Sequence, residues 1–447
     1  MMDRRSFLKG AAVLGAASVL PRFSFAAESG NSNSGRIRVA CVGCGGRGTG
    51  AMQDLINADK NIQIVALGDL FEDRLKSADT NIRNFVKDLR SKDSKIAEDI
   101  YAATKDTMFS GFDCCKKVLE VPCDMVILAA PPCFRTEHLE LCLKAGKHVF
   151  AEKPLFVDIT QARKVEQLSK LADEKKLNVV VGFQRHYDEA YKEGVARLMD
   201  GQIGDIVAAQ CYWMQDGYVG GGISNGHLPI DTQEYQIRNW AAWIWTSGDH
   251  IVEQHCHNID VINWCMNGKL PKNVMGMGGR GVNQDGELAL PYPQFGDRYS
   301  HFTVDFDYGD GVRVMSLCRQ EPKTSSNVSE RIVGTKGFLT FDGGAHIEGE
   351  KPWRFSGARP GPYVQEHAFL LKSIRDSKHV NAIPLSHSSN MMALAGRESA
   401  FSGRGFSYDF FKQKSNQKLT PDVWDLKAKK QIGKVPVAGV YKLDLIS

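Results

Sequence analysis

A glycine-rich segment near the start of the chain has the residue types and spacing that bind a diphosphate. Residues 43–48 read Gly-Cys-Gly-Gly-Arg-Gly, which is the pattern G-x-G-x-x-G. The segment follows the β-rich run 36–42 and precedes a predicted helix over 49–56. Glycine permits a tight turn and a close approach of the backbone to a pyrophosphate, whose oxygens bind the N–H groups at the helix N-terminus. The predicted dinucleotide contacts are Gly43, Gly45, Gly46, Arg47 and Gly48.

An acidic residue follows at the interval expected for a ribose contact. A predicted strand over 62–67 ends in Gly68 and Asp69, and Asp69 lies 26 residues after Gly43. A carboxylate at this point accepts hydrogen bonds from the adenosine ribose and repels a 2′-phosphate. We therefore predict NAD rather than NADP, although the nearby Arg74 weakens that preference.

A lysine lies directly after another predicted strand, over 147–151, in the sequence Glu152-Lys153-Pro154. Oxidation of an alcohol needs a base that takes the hydroxyl proton while the hydride leaves. Partial burial and a positively charged nicotinamide both lower the pKa of a neighbouring lysine. We predict that Lys153 is such a base and that Glu152 orients it.

A second group of polar residues has helical spacing over 249–264. Glu253 and His257 are four residues apart, so a regular helix places both on one face. His257 is the second candidate base, and Asp260 is a candidate to hold its imidazole or to contact substrate. Three histidines and three acids in this run also have metal-ligand chemistry, but we predict packing roles for His250 and His255 and no metal site.

Aromatic residues precede that helix and indicate the class of substrate. Three tryptophans occur within the six residues 240–245. Tryptophan rings stack on the C–H faces of sugars, and neighbouring polar side chains bind hydroxyl groups, although some of these rings are expected in the core. The predicted substrate contacts are Trp240, Arg185, Tyr187 and Asp260.

The elements that carry these residues alternate between strand and helix. Further apolar strands are predicted over 121–130 and 177–183, with helices over 136–145 and 159–175. Such alternation predicts a parallel sheet covered by helices on both faces, with ligands at the carboxyl ends of its strands. Pro131 and His138 lie near one such end and are further predicted cofactor contacts.

The second half of the chain has a different pattern. Extended runs over 204–213, 301–317 and 331–341 contain glycine-rich turns that are typical of hairpins. Helices are predicted over 364–376 and 388–401, followed by an extended tail from 416 onwards. This pattern predicts a mixed open sheet with helices on one side.

Together these motifs resemble the glucose-fructose oxidoreductase / inositol dehydrogenase family, written Gfo/Idh/MocA. The resemblance rests on the glycine fingerprint, on Pro131-Pro132 with His138, on the sequence AGKHVFAEKP, on Gly182-Phe183-Gln184-Arg185 and on His257-Asn258-Ile259-Asp260. It implies α/β architecture: a Rossmann doubly wound parallel sheet over 35–185 and an α+β domain with a large open mixed sheet over 186–447. It also implies NAD as cofactor, Lys153 beside the nicotinamide, and a homo-oligomer. The family commonly has Asp where this chain has Glu253.

The first residues are predicted to be an export signal. Arg4, Arg5 and Lys9 precede the short apolar run 11–20, and small residues follow up to Ala27. The order resembles a twin-arginine signal over 1–27, which implies a folded, cofactor-loaded protein in the periplasm. The 447 residues carry 56 basic and 52 acidic side chains without a basic cluster, so we expect neither nucleic-acid binding nor stable membrane insertion.

The sequence leaves more than one function open. The first is an NAD-dependent oxidoreductase that oxidises a secondary hydroxyl of a sugar or glycoside with tightly bound NAD. The alternative is a redox-neutral, NAD-dependent glycoside hydrolase of the α-N-acetylgalactosaminidase type, which the exported subgroup of the family includes. A third possibility, a binding protein without catalysis, conflicts with the intact Glu152-Lys153-Pro154 motif.

Overall fold

A parallel sheet of six strands forms the first half of the molecule. The computed structural model describes residues 35–217, 228–282 and 296–446, within the compact unit Ser34–Ser447; the predicted signal 1–27 lies outside them. The strands are β1 (Ile37–Val42), β2 (Ile62–Asp69), β3 (Met108–Ser110), β4 (Met125–Leu128), β5 (His148–Ala151) and β6 (Val179–Val181). Their order is β3-β2-β1-β4-β5-β6, and every pairing is parallel. This is the doubly wound order of a Rossmann fold, as predicted.

Helices cover both faces of this sheet because its strands are apolar along their whole length. They are α1 (Gly46–Ala58), α2 (Glu72–Lys92), α3 (Cys114–Val118), α4 (Pro132–Lys144) and α5 (Ile159–Glu174). A much later helix, α11 (Pro362–Arg375), also packs here, and its Phe369 and Leu370 join the core formed around β1 and β2. The chain therefore returns to the first sheet from within the second half of the sequence.

The second sheet has nine strands. They are β7 (Ile206–Asp216), β8 (Asn273–Gly279), β9 (His301–Gly309), β10 (Val312–Glu321), β11 (Asn327–Gly334), β12 (Gly337–Phe341), β13 (Ala345–Gly349), β14 (Trp353–Arg354) and β15 (Phe406–Ser407). The order is β14-β13-β12-β11-β7-β10-β9-β8-β15. The β7–β10 pair is parallel and the other pairs are antiparallel, which confirms the predicted mixed sheet. The predicted boundary at 185 falls between the end of β6 and the start of β7 and stays a prediction.

Helices pack on one face of this sheet. The remaining helices are α6 (Glu189–Met199), α7 (Gln233–Arg238), α8 (Ile244–Ser247), α9 (His250–Glu253), α10 (Cys256–Cys265), α12 (Ile383–Ser402) and α13 (Tyr408–Lys414). α10 and α12 lie against β7, β8, β9 and β11. Along β8, Met275 and Met277 alternate with buried residues and are 59% and 65% exposed, so the other face is open.

Two local predictions differ from the structure, and one short strand was not predicted. The helix expected from 136 begins at Pro132, because proline fits the first turn of a helix, where its missing N–H costs nothing. The single helix expected over 249–264 is broken at Gln254 and His255 into α9 and α10. The short strand β3 has too few residues to show a pattern in sequence. Within the described ranges, no helix is both long and apolar enough to span a bilayer.

Candidate active site

A cavity of about 520 Å³ lies at the carboxyl ends of the first sheet, next to β1 and β4, where the strand order reverses. Ligands of doubly wound sheets bind at this position. The cavity brings together most of the residues predicted from sequence. Those that line it are Gly43, Gly45, Gly46, Arg47, Asp69, Pro131, His138, Glu152, Lys153, Trp240, Glu253 and His257.

The glycine loop has the shape that a dinucleotide requires. Gly43 has a φ of +95°, and a Cβ atom there would lie 2.1 Å from the backbone nitrogen of Ala130. A Cβ atom at Gly48 would lie 1.8 Å from the carbonyl oxygen of Gly43, so the helix and the strand meet there without space for a side chain. By contrast, a Cβ atom at Gly45 or Gly46 would meet no atom within 4 Å. No side chain caps the N-terminus of α1, which leaves its N–H groups for an anion.

Asp69 lies at the end of β2 and lines the same cavity. Its carboxylate accepts hydrogen bonds from the backbone N–H groups of Cys44 (2.6 Å) and Phe71 (2.9 Å). Burial raises the pKa of Asp69, and these two hydrogen bonds act against that rise. The carboxylate is thereby fixed beside the glycine loop, with further acceptor positions for ribose hydroxyl groups.

Arg47 links the glycine loop to the segment that carries Lys153. Its Nε donates to Glu152 Oε1 (2.6 Å), its Nη2 donates to Asp54 (3.2 Å), and its guanidinium lies 4.7 Å from the ring centre of Tyr363. Glu152 was predicted to orient Lys153. In the structure its Oε1 accepts from Arg47, and its role at Lys153 stays a prediction.

Lys153 connects the two halves of the molecule. Its Nζ donates to the backbone carbonyl oxygen of Glu253, one hundred residues later in the chain. Lys153 follows β5, and Glu253 is the last residue of α9. The ammonium group is therefore held at the point where the second half meets the cofactor-binding sheet.

His257 is buried beside Lys153. Its ring contacts Phe183 edge-on at a centroid distance of 5.6 Å and lies nearly parallel to Trp213 at 6.0 Å. Burial lowers its pKa well below the ordinary value, and the positive charges of Lys153 and Arg185 lower it further. Burial and these charges therefore favour the neutral imidazole, whose unprotonated nitrogen can accept a hydrogen bond.

Glu253 is also buried, and burial raises its pKa against the opposing effect of Lys153 and Arg298. Its Oε1 lies 3.8 Å from the guanidinium of Arg298. Because the helix is interrupted between α9 and α10, Glu253 and His257 do not meet as neighbours on one regular helix. They share the cavity because the chain turns at Gln254.

Three predicted substrate contacts lie away from the cavity lining. Asp260 accepts from Ser389 Oγ (2.7 Å) and pairs with His186 Nε2 (2.6 Å), so it does not hold His257. Arg185 forms a buried ion pair with Glu330 of β11. The ring of Tyr187 packs on Phe369 of α11 at 5.4 Å. Their polarity is used inside the protein, a use that spacing alone does not distinguish from ligand binding.

The Arg185–Glu330 pair supports the residues that line the cavity. Glu330 also accepts hydrogen bonds from Tyr191 (3.1 Å) and from the side chain of Asn258, which follows His257 directly. Although burial acts in the opposite direction, Glu330 raises the pKa of Arg185. This network therefore ties β11 of the second sheet to the first turn of α10.

Some lining residues were not predicted. Gln184 and Gln254 lie next to predicted residues in sequence, and the Oε1 of Gln184 is buried without a hydrogen-bond partner among the described residues. Arg238 lies two residues before Trp240, in the tryptophan-rich segment, and Tyr363 comes from a distant segment that shows no motif. Trp243 and Trp245 are buried in the core, and Trp245 donates to Gln236 (2.6 Å), so only Trp240 of the three tryptophans lines the cavity.

Comparisons with known proteins agree with this architecture. Residues 37–183 match the Gfo/Idh/MocA oxidoreductase family, described as having an NAD-binding Rossmann fold, and residues 1–21 match the twin-arginine translocation signal. The inositol 2-dehydrogenase of Rhodococcus jostii is 26% identical over 180 residues, which cover 40% of this chain and 42% of that protein. The aligned region thus spans less than half of that curated relative.

Solved structures share the fold over a longer range. The aldose-aldose oxidoreductase from Caulobacter crescentus complexed with glycerol has a TM-score of 0.61 at 12% identity, covering 83% of this chain and 99% of that one. GenD2 from gentamicin A biosynthesis, in complex with NAD, has a TM-score of 0.60 at 16% identity, covering 86% and 99%. Behind a twin-arginine signal sequence, this chain therefore contains an NAD-binding Rossmann domain of the Gfo/Idh/MocA oxidoreductase family.

Proposed function

We propose that the protein is an NAD-dependent oxidoreductase that oxidises a secondary hydroxyl group of a sugar or glycoside and holds its NAD tightly. The observation that carries the proposal is the meeting of Lys153, Glu253 and His257 in one cavity with the glycine loop and Asp69. NAD supplies the hydride acceptor, and the chain supplies proton acceptors beside it. A protein that only binds a nucleotide does not need such proton acceptors.

His257 and Lys153 take different parts in this proposal. In this proposal the imidazole of His257, which lines the cavity together with Lys153, accepts the hydroxyl proton as the hydride leaves the carbinol carbon. Lys153 is fixed by the carbonyl oxygen of Glu253. It binds the hydroxyl oxygen of the substrate and takes part in the transfer of the hydroxyl proton. Glu253 and His257 lie on opposite sides of the break between α9 and α10, so the turn at Gln254 sets the distance between them.

The cavity wall supports a polyhydroxylated substrate. Trp240 offers an aromatic face, and Gln184 and Gln254 offer amide groups to hydroxyls. The unpartnered Oε1 of Gln184 is a buried acceptor for which a ligand hydroxyl is a suitable donor. The names of the related proteins, inositol 2-dehydrogenase and aldose-aldose oxidoreductase, point to the same class of substrate.

The export signal determines how the cofactor must be used. A twin-arginine substrate crosses the membrane folded, and we propose that this protein reaches the periplasm with NAD already bound. Free NAD is scarce there, so the NADH formed must be re-oxidised in place by a second substrate or by a redox partner. Release of the cofactor after each turnover would stop the reaction.

The open face of the second sheet supports a homo-oligomer. Met275 and Met277 are more than half exposed on β8, and their partners on the neighbouring strand β9 are Asp305 and Thr303. Exposed apolar side chains in a row on a sheet are a common contact between subunits. We propose a second copy of this chain as the occupant, which light scattering after size-exclusion chromatography tests directly by mass.

The decisive experiment for the function uses the protein as purified, without added NAD. The protein is denatured to identify its nucleotide, and native protein is incubated with a panel of sugars, polyols and glycosides before mass spectrometry. Loss of two hydrogens from a substrate together with bound NADH is the expected result. Cleavage with gain of water and no net change in bound NAD would instead establish the redox-neutral glycoside hydrolase. Absence of any nucleotide, even after incubation with NAD, would overturn the proposal.

A further inference from the structure

One arginine outside the Rossmann sheet has an unusually complete set of contacts. Arg238 ends α7, and its guanidinium carbon lies 3.7 Å from the ring centre of Phe71. Its Nη1 and Nη2 donate to Asp73 at 3.2 Å, and its Nε donates to Glu234 at 3.0 Å. Phe71 and Asp73 belong to the first half of the molecule, and Glu234 and Arg238 belong to the second.

These contacts lie at one particular end of the cavity. Phe71 and Arg238 both line it, together with Asp69, Leu70 and Arg74. Asp69 is the residue expected at the adenosine ribose, so this is the adenosine end. The family match covers 37–183 and does not include Arg238.

We propose that Arg238 is a cofactor-retaining residue, and that the clasp formed by Phe71, Asp73, Glu234 and Arg238 slows the release of NAD from the adenosine end. The proposal rests on the proposed function, which makes the cavity an NAD site. It extends that function by naming the contact that keeps the cofactor bound after export. The clasp joins residues from both halves, so it must open before the two sides of the adenosine end can separate.

The segment behind the clasp supports this role because α7 is braced by the C-terminal tail. The backbone N–H groups of Gln233 and Glu234 donate to the carbonyl oxygens of Ala428 (3.0 Å) and Leu426 (3.1 Å). The tail also places Trp424 against Phe134, which lines the cavity, at a centroid distance of 4.6 Å. Displacing Arg238 therefore requires movement of a helix that hydrogen bonds to the tail hold in place.

Stacking and charge each contribute to the clasp. A guanidinium on a phenyl face has a cation–π attraction that grows when water is excluded. The pair with Asp73 is more exposed, since the carboxylate is 60% accessible, and such pairs contribute less. Loss of the arginine should therefore affect NAD release more than loss of the aspartate.

The test measures NAD release from purified holoprotein loaded with isotope-labelled NAD and diluted into excess unlabelled NAD. We expect about tenfold faster release from Arg238→Ala, which corresponds to the loss of one partly buried cation–π contact. Asp73→Asn should accelerate release by about threefold, in line with an exposed ion pair. Arg238→Lys keeps the charge but not the planar stack, and should fall between Arg238→Ala and wild type.

A matched control exists on α2. Arg83 lies 5.0 Å from the ring centre of Tyr101 and pairs with Asp79 (2.9 Å), so it makes the same two kinds of contact without lining the cavity. Arg83→Ala should release NAD at the wild-type rate. Equal release rates for wild type, Arg238→Ala and Asp73→Asn would overturn the inference. A wild-type protein that binds no NAD would instead overturn the proposed function, so the two failures are distinct.

Discussion

The two ends of the cavity are constructed in different ways. At the glycine-loop end, the groups available to a diphosphate belong to the single segment 43–48 and are mostly backbone atoms. At the opposite end, Lys153 and His257 are brought together across more than one hundred residues by buried side-chain contacts. A site made of backbone depends on the conformation of one turn, whereas a site made of distant side chains depends on the packing of the whole fold.

This difference determines how each end responds to damage. The glycine loop tolerates changes elsewhere in the chain as long as α1 and β1 can approach each other at Gly48. The other end depends on Glu330 of the second sheet, which binds the side chains of Arg185 and Asn258. Asn258 directly follows His257, which lines the cavity. Substitutions far from the cavity should therefore reduce turnover more readily than they reduce NAD binding.

The largest expected effect comes from removing the ammonium group at the junction. Lys153→Met should lower kcat about 1,000-fold, the usual size of a lost general acid–base group, while NAD remains bound. Steady-state kinetics and quantification of bound nucleotide measure the two quantities. The control is Lys147→Met, because Lys147 also donates to a carbonyl oxygen, that of Cys123 (2.8 Å), at the other end of β5. Full turnover by Lys153→Met would refute its assignment.

The next effect separates the supporting network from the cofactor end. Glu330→Gln leaves the buried guanidinium of Arg185 without its counter-charge, so the free energy of unfolding should fall by about 3 kcal/mol. Chemical denaturation measures the loss, and turnover should fall while NAD affinity stays near wild type. The control is Glu321→Gln, which changes a partly exposed carboxylate of β10 that accepts a hydrogen bond from Ser300 (2.6 Å). This variant should have little effect on the free energy of unfolding. An equal loss in both variants would contradict the role of the network.

A smaller effect distinguishes two glycines of the same loop. Gly48→Ala should reduce the free energy of unfolding by about 2 kcal/mol, because the new methyl group would overlap the carbonyl oxygen of Gly43. Gly45→Ala should leave stability unchanged, since its methyl group meets no atom within 4 Å, but it should weaken NAD binding. Thermal unfolding and NAD titration separate the two. The comparison fails if both variants lose stability equally.

The smallest effect concerns the helix that covers the cofactor half. His367 of α11 packs on Phe150 at 4.2 Å, and burial, with Arg47, lowers its pKa from 6.5 to about 3. Between these values the unfolded chain binds a proton that the folded protein does not, so stability falls as pH falls from 6.5 towards 3. In His367→Leu this slope should decrease by about 1.4 kcal/mol per pH unit. Urea denaturation at several pH values measures this slope. An unchanged slope in His367→Leu would contradict the assignment of the pH dependence to His367.

Sequence and structure agree most closely where chemistry is local. The glycine loop, Asp69 and the segment around Lys153 each follow a strand, and in a parallel sheet the ends of these strands meet at one edge. Their shared location was therefore predictable from strand–helix alternation alone. The mixed sheet of the second half was also predictable from its extended runs, because the alternation of exposed and buried residues is a local property.

Agreement is weakest for polar residues that are used inside the protein. Arg185 and Asp260 were predicted to bind substrate, yet their partners Glu330 and His186 are distant in sequence, and no local pattern reveals a buried ion pair. Arg238 shows the converse case. It was not among the predicted contacts, although it lies two residues before Trp240, and it lines the cavity where its side chain meets Phe71 and Asp73.

By itself, then, the sequence determined the Rossmann sheet, NAD as its cofactor and the export signal, because each depends on residues close together in the chain. It also singled out Lys153 and His257, whose catalytic roles stay predictions. Only the tertiary structure decided which charged groups face the cavity and which are neutralised in the core. It also revealed that Glu152 holds Arg47 and that Arg238 closes the adenosine end. The physical reason is that a buried charge must find a partner wherever the fold provides one, and that partner is set by packing rather than by spacing along the chain.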